Sequence, residues 1–188
     1  MRIRAAVTVP AASAAMAAVL LTAPHSQAAA GHDRPTAPHG KAAAGHERSD
    51  RCARKSLTVR AKAVAGDPAV LRVDVTNRGA RACVVDRVPT VTFGDLDGAA
   101  LPVPEGGTGT YRLAAGGTAY ADVRTIADPA DPEARRVDTV TVAASAAHAG
   151  RSFSAARLGT GPQVLVWEPE TTWWQRSAAA ADRAIGLS

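Results

Sequence analysis

An all-β fold, with antiparallel sheets packed face to face, is what this sequence predicts, and three observations carry the prediction. Short runs in which apolar and polar residues alternate recur along the chain, the period of a strand with one buried face. Gly, Pro, Asn and Asp punctuate these runs, and helical periodicity is absent until the last segment. The clearest stretch is residues 71–98. Here Leu71, Val73 and Val75 alternate with Arg72, Asp74 and Thr76, and Asn77-Arg78-Gly79 follows as a turn signal. Cys83-Val84-Val85 returns as an apolar run, and Thr90-Val91-Thr92-Phe93 alternates again before the turn at Asp95-Leu96-Asp97-Gly98. Three short strands and two turns so close together read as antiparallel β.

Residues 1–28 read as a secretory signal peptide rather than as part of the fold. Arg2 and Arg4 give a positive start, residues 5–23 an apolar segment, and Ser26-Gln27-Ala28 places small residues at −3 and −1 of a cut. Pro10 and the alanine-rich composition argue against a lasting membrane anchor, and no second apolar run of spanning length follows. Residues 29–51 read as a flexible low-complexity linker in which Ala-Ala-Ala-Gly-His-Asp-Arg is repeated as Ala-Ala-Ala-Gly-His-Glu-Arg. Its His32, His39 and His46 fall seven residues apart, a spacing that in a flexible tail brings no two imidazoles together without an ordering cost.

The folded part is expected over residues 52–167. Leu57, Val59, Ala61 and Ala63 make a first strand, and Gly66-Asp67-Pro68 leads into the strand at Leu71 either as a hairpin or as a crossing between sheets. Residues 100–103 and 111–113 supply short strands around the Pro104-Glu105-Gly106-Gly107 loop, and Gly116-Gly117 turns the chain into a strand over 118–124. There Ala119, Ala121 and Val123 share one face, and Tyr120, Asp122 and Arg124 the other. The prolines of residues 128–133 exclude a central strand, while 137–142 and 163–167 complete a count of about seven to nine strands. Such a series points to an immunoglobulin-like antiparallel β-sandwich.

Residues 168–188 are expected to form a C-terminal helical extension. Thr172 and Gln175 have the spacing of a capping box, and a helix from there aligns Trp174, Ala178, Ala181 and Ile185 on one face, to be covered by the sandwich.

The totals narrow the function. One core fits 188 residues, and with aromatics at 4% it must be built from small and β-branched side chains. Loss of Arg2 and Arg4 with the leader leaves 20 basic side chains against 17 acidic ones, a net +3. That charge is weak and interspersed, so nucleic acid is not an expected partner.

Cys52, the segment Val73-Asp74-Val75-Thr76-Asn77-Arg78-Gly79, Ala82-Cys83-Val84-Val85 followed by Pro89-Thr90-Val91, the Asp95-Leu96-Asp97-Gly98 turn and Leu113-Ala114-Ala115-Gly116-Gly117-Thr118-Ala119-Tyr120 together form a pattern. Through it the chain resembles, over about residues 52–167, the actinobacterial family catalogued as domain of unknown function 4232. The resemblance implies an exported sandwich domain with a disulfide near its start and no established activity. The chain departs from the family in lacking a second cysteine pair in its later half, and the resemblance does not account for its Trp-rich tail.

Cys52 and Cys83 are the only cysteines, so in an exported chain a disulfide is the expected state. A copper or redox site is the rival, but the folded part offers His148 alone and no Met. His148 lies near Ser145, Ser152 and Ser154 without a nucleophile elbow, and it reads as the tip of a hairpin; no catalytic residue, metal or cofactor is expected. Asp95, Asp97, Asp128 and Asp131 sit in turns where Asp bonds its own backbone. Trp167, Trp173 and Trp174 are the remaining candidates, either as a plug at one end of the sandwich or as exposed rings that bind a sugar or a peptide side chain.

The expectation is a secreted, non-enzymatic binding or structural module acting at or outside the cell envelope, its partner a protein or an envelope polysaccharide. A cell-wall glycan-binding module using the three tryptophans is one alternative. A metal- or thiol-dependent protein centred on His148 and the cysteines is the other.

Overall fold

The computed structural model describes residues 50–187. The leader expected over 1–28 and His32, His39 and His46 lie outside the described residues, as does nearly all of the linker. After a 3-10 turn at Arg54–Ser56 come β1 (Leu57–Val64), β2 (Asp67–Asn77), β3 (Cys83–Asp86), β4 (Thr90–Phe93), β5 (Leu101–Val103), β6 (Thr110–Leu113) and β7 (Thr118–Arg124). They are followed by β8 (Arg135–Val137), β9 (Thr139–Ala143), β10 (Arg151–Ser154), the single turn of α1 (Ala155–Leu158), β11 (Val164–Val166), β12 (Glu170–Thr172) and α2 (Ala178–Ile185).

One sheet runs in the order β1-β2-β7-β12-β5, and three smaller ones are β10-β9-β4, β11-β8 and β3-β6. Every pairing is antiparallel except that of β12 with β5. The alternation of β2 and β7 turns Leu71, Val73, Val75, Ala119, Ala121 and Val123 inward. Opposite them, Val91 and Phe93 of β4, Val140 and Val142 of β9, Phe153 of β10, and Val85 and Leu113 of β3 and β6 enter the same cluster. The fold is therefore a mostly antiparallel β-sandwich, the large sheet facing the three small ones across a core rich in valine and alanine.

Several expectations change at this level. β1 and β2 form a hairpin through Gly66, at φ +84°, which settles the alternative left open by the sequence. The strands of residues 71–98 are not neighbours, because β2 lies in the large sheet, β3 pairs with β6, and β4 with β9. Asn77 supplies the reason. Its Oδ1 accepts from Gly79 N at 2.8 Å, while its Nδ2 donates to Arg81 O at 2.8 Å and Ala114 O at 3.1 Å, so the buried side chain carries the turn across to the second layer. The expected strand over 137–142 is split at Asp138 into β8 and β9, which belong to different sheets. Among the described residues twelve strand segments replace the seven to nine expected, β10 and β12 being those that no run of alternation announced.

The capping box at Thr172 does not form. Thr172 ends β12, and its Oγ1 accepts the amide of Asp122 at 3.0 Å, across the sheet rather than along a helix. The helix starts later, at Ala178, where Ser177 Oγ accepts from Ala180 N at 3.2 Å. Ala181 and Ile185 are buried as expected, and α2 covers the outer face of β7, so that Asp122 is as fully buried as the alanines on the inner face.

Candidate functional site

Beyond β12 the chain stays extended for three residues, and this geometry decides what the paired tryptophans do. Trp174 N donates to Arg87 O at 3.0 Å, and Gln175 exchanges backbone hydrogen bonds with Tyr120 at 2.6 and 2.9 Å. The segment is thus stitched on one side to the end of β3 and on the other to β7. In an extended chain adjacent side chains point to opposite faces. Trp174 therefore enters the core at 3% exposure, and Trp173 stays half-buried at the surface.

Two contacts hold the Trp173 ring. Its Nε1 donates to Pro104 O at 3.1 Å in the loop after β5, and the Arg87 guanidinium stands 4.6 Å from its ring centroid. The loop approaches so closely because Gly107, at φ +109°, has no Cβ. One placed there would overlap Val88 Cγ2 and stand 3.4 Å from Trp173 Nε1.

Trp173, Trp174, Arg87, Tyr111 of β6 and Arg176 line a half-open cavity of about 370 Å³. Burial pushes the Tyr111 hydroxyl above its ordinary pKa, and the positive charge of Arg176 works against that rise. Arg176 thus acts on the same volume as Tyr111. Trp174 Nε1 has no protein acceptor among the described residues.

Trp167 is not part of this cavity. It is half-buried in a separate hollow of about 270 Å³ with Phe93, Leu96, Val166 and Arg135, next to Glu168, whose φ of +45° is the one positive value at a non-glycine among the described residues. The structure brings two of the three tryptophans to one place and sets the third elsewhere.

Cys52 and Cys83 form a disulfide, with Cα atoms 4.9 Å apart. His148 lies in the turn between β9 and β10, and its Nε2–H donates to Cys52 O at 2.9 Å, tying that hairpin to the bridge. Among the described residues no three His, Cys, Asp or Glu side chains gather as a metal site, and no helix is long and apolar enough to cross a membrane. Asp128 and Asp131 bond the amides two residues on, at 2.9 and 2.8 Å, the local turn role expected of them.

The sequence reading missed Arg87, Tyr111, Arg176 and Pro104. Arg176 stands two residues from Trp174 and was within reach as a basic neighbour of the tryptophans. The other three arrive through β3, the β5–β6 loop and β6, and no spacing in the sequence links them to Trp173.

No curated protein and no solved structure matches the chain. A family match does exist, to "Domain of unknown function (DUF4232)" over residues 52–175, about two thirds of the 188 residues. It runs past residue 167 to take in β12, Trp173 and Trp174, in agreement with the place of β12 inside the large sheet. The chain belongs to the DUF4232 family.

Proposed function

We propose that this protein is an exported, non-enzymatic binding module that works at or outside the cell envelope and holds an envelope polysaccharide in the Trp173 cavity. The observation that carries the reading is the fixed Trp173 ring, held by Pro104 O and Arg87 beside Tyr111 and Trp174. Rigid aromatic rings at the wall of a half-open cavity offer apolar area to the C–H face of a sugar with little loss of side-chain entropy on binding. Export is supported by the leader-like start of the sequence and by the disulfide. A binding role rather than a chemical one is supported by His148, whose Nε2 is engaged by Cys52 O, and by the joining of both cysteines.

Titration of the intrinsic tryptophan fluorescence with solubilised envelope polysaccharide tests this. A saturable change is expected in the native chain and in Trp167→Phe, with its loss in Trp173→Ala. An unchanged response in Trp173→Ala, or no response of the native chain, overturns the reading.

A further inference from the structure

We propose that the sugar held in this cavity is anionic, a carboxylated or phosphorylated unit whose oxyanion is taken by Arg87 and Arg176. The inference rests on the glycan reading of the Trp173 cavity and adds the charge of the ligand to it. Two guanidiniums line the cavity and, among the described residues, no carboxylate does. Three other arginines carry their own counterions, Arg51 with Asp86, Arg72 with Asp122 and Asp182, and Arg124 with Glu170. Among the described residues neither Arg87 nor Arg176 has such a partner.

Arg87 is half-buried and stacked on the Trp173 ring. A guanidinium stacked on an indole has given up much of its rotamer freedom while the N–H groups along its edge stay available. That is the preorganisation a bidentate bond to a carboxylate or phosphate needs. Arg176, on the chain just past Trp174, adds a second positive charge to the same cavity. A neutral sugar would partly dehydrate both cations and return hydrogen bonds without an opposite charge; an acidic one pairs them where the ring already meets its apolar face.

The test titrates the full chain with an oligogalacturonide, with the same oligosaccharide methyl-esterified, with a poly(glycerol phosphate) oligomer and with oligoglutamate, at low and at high salt. Tight, salt-sensitive binding is expected for the oligogalacturonide or the phosphate polymer, and which of the two binds more tightly identifies the acid. Arg87→Gln and Arg176→Gln should each weaken that binding roughly ten- to a hundredfold, the loss of one charge-assisted hydrogen-bonded contact. Arg87→Lys, which keeps the charge without the fork, should fall between. Arg176 is exposed, so its substitution reads binding without a folding defect. Equal binding of the esterified oligosaccharide overturns the anionic inference and leaves the glycan reading standing. Failure of all four probes overturns the anionic inference and leaves the glycan reading to the envelope-polysaccharide titration, and oligoglutamate binding as tightly as the acidic sugars overturns the assignment to a glycan.

Discussion

Arg72 and Asp122 stand directly opposite each other in the β2–β7 ladder, and the guanidinium clasps the carboxylate with Nε at 2.9 Å from one oxygen and a terminal nitrogen at 3.1 Å from the other. The pair lies on the outer face of the large sheet, beneath α2, and Asp182 of that helix bonds the same guanidinium. Two carboxylates thus share one cation. Burial, the largest influence, and the second carboxylate both push Asp122 above the ordinary Asp range, against the pull of Arg72. Arg72 is itself raised, first by its hydrogen bond to Asp122.

The sign of the pH effect follows from that direction. With its native pKa above the unfolded value of about 4, Asp122 makes the native state bind more protons than the unfolded one in the interval between them. Its contribution is fully present below the unfolded pKa and is lost as pH rises through the native one. The stability of the native chain relative to Asp122→Asn should therefore increase as pH falls through this interval, read as the difference between urea midpoints. A difference that shrinks on acidification refutes the assignment. At neutral pH the substitution should still destabilise, by about 1–3 kcal/mol, because Arg72 keeps only Asp182.

Helix α2 is what keeps this pair dry, so its anchoring should be measurable separately. Ser177 caps its first turn, and Ser177→Ala should cost about 1 kcal/mol. Removal of residues 177–188 should cost more and should abolish the unusual pH dependence, since Asp122 would then face water. Retention of that dependence in the shortened chain would show that α2 is not its cause. Denaturant unfolding across the carboxylate range makes both measurements.

The sequence made the large sheet legible wherever one face was apolar. Leu71, Val73 and Val75, and Ala119, Ala121 and Val123, are a plain period of two, and both sets are buried. What it did not reveal is which strand lies beside which. Asn77 reads as a turn residue, yet its buried amide bonds two distant segments and sends the chain into the other layer. β12 was hidden for another reason: Glu170-Thr171-Thr172 has no apolar side chain, and Thr171 and Thr172 are fully buried only because the sheet and helix close around them. Thr172 reads as the N-cap of a helix because a capping box counts only neighbours in the chain, but the amide it accepts is that of Asp122. Half of the candidate site was legible in Trp173 and Trp174, and the rest depends on contacts that pairing alone creates.

The disulfide links residues 31 apart, and His148 bonds the carbonyl of Cys52 beside it. On the chain-entropy estimate the closed loop stabilises the fold by about 3–4 kcal/mol. Cys52→Ala/Cys83→Ala should lose close to that amount in equilibrium unfolding, as should the reduced native chain. His148→Ala should lose less, about 1 kcal/mol, for one hydrogen bond. A bridge-free variant as stable as the native chain would refute the structural role of the disulfide.

Gly106 and Gly107 offer a comparison that separates backbone strain from an effect on the site. Both have positive φ, +94° and +109°, so alanine at either position is strained, at about 1–2 kcal/mol. They differ in what a side chain would meet. Nothing lies within 4 Å of a Cβ at Gly106, whereas one at Gly107, in the loop packed beside Trp173, overlaps Val88 Cγ2. Gly107→Ala should therefore push the loop away, break the hydrogen bond from Trp173 to Pro104 O and let the ring turn toward water. The measurement is tryptophan emission with and without the acidic oligosaccharide. Gly107→Ala should shift the emission to the red and weaken the ligand response, the latter as expected of Trp173→Ala, while Gly106→Ala should lose a similar amount of stability and respond as the native chain. If the two variants respond alike, the grip of the loop on Trp173 is not what holds the site in shape.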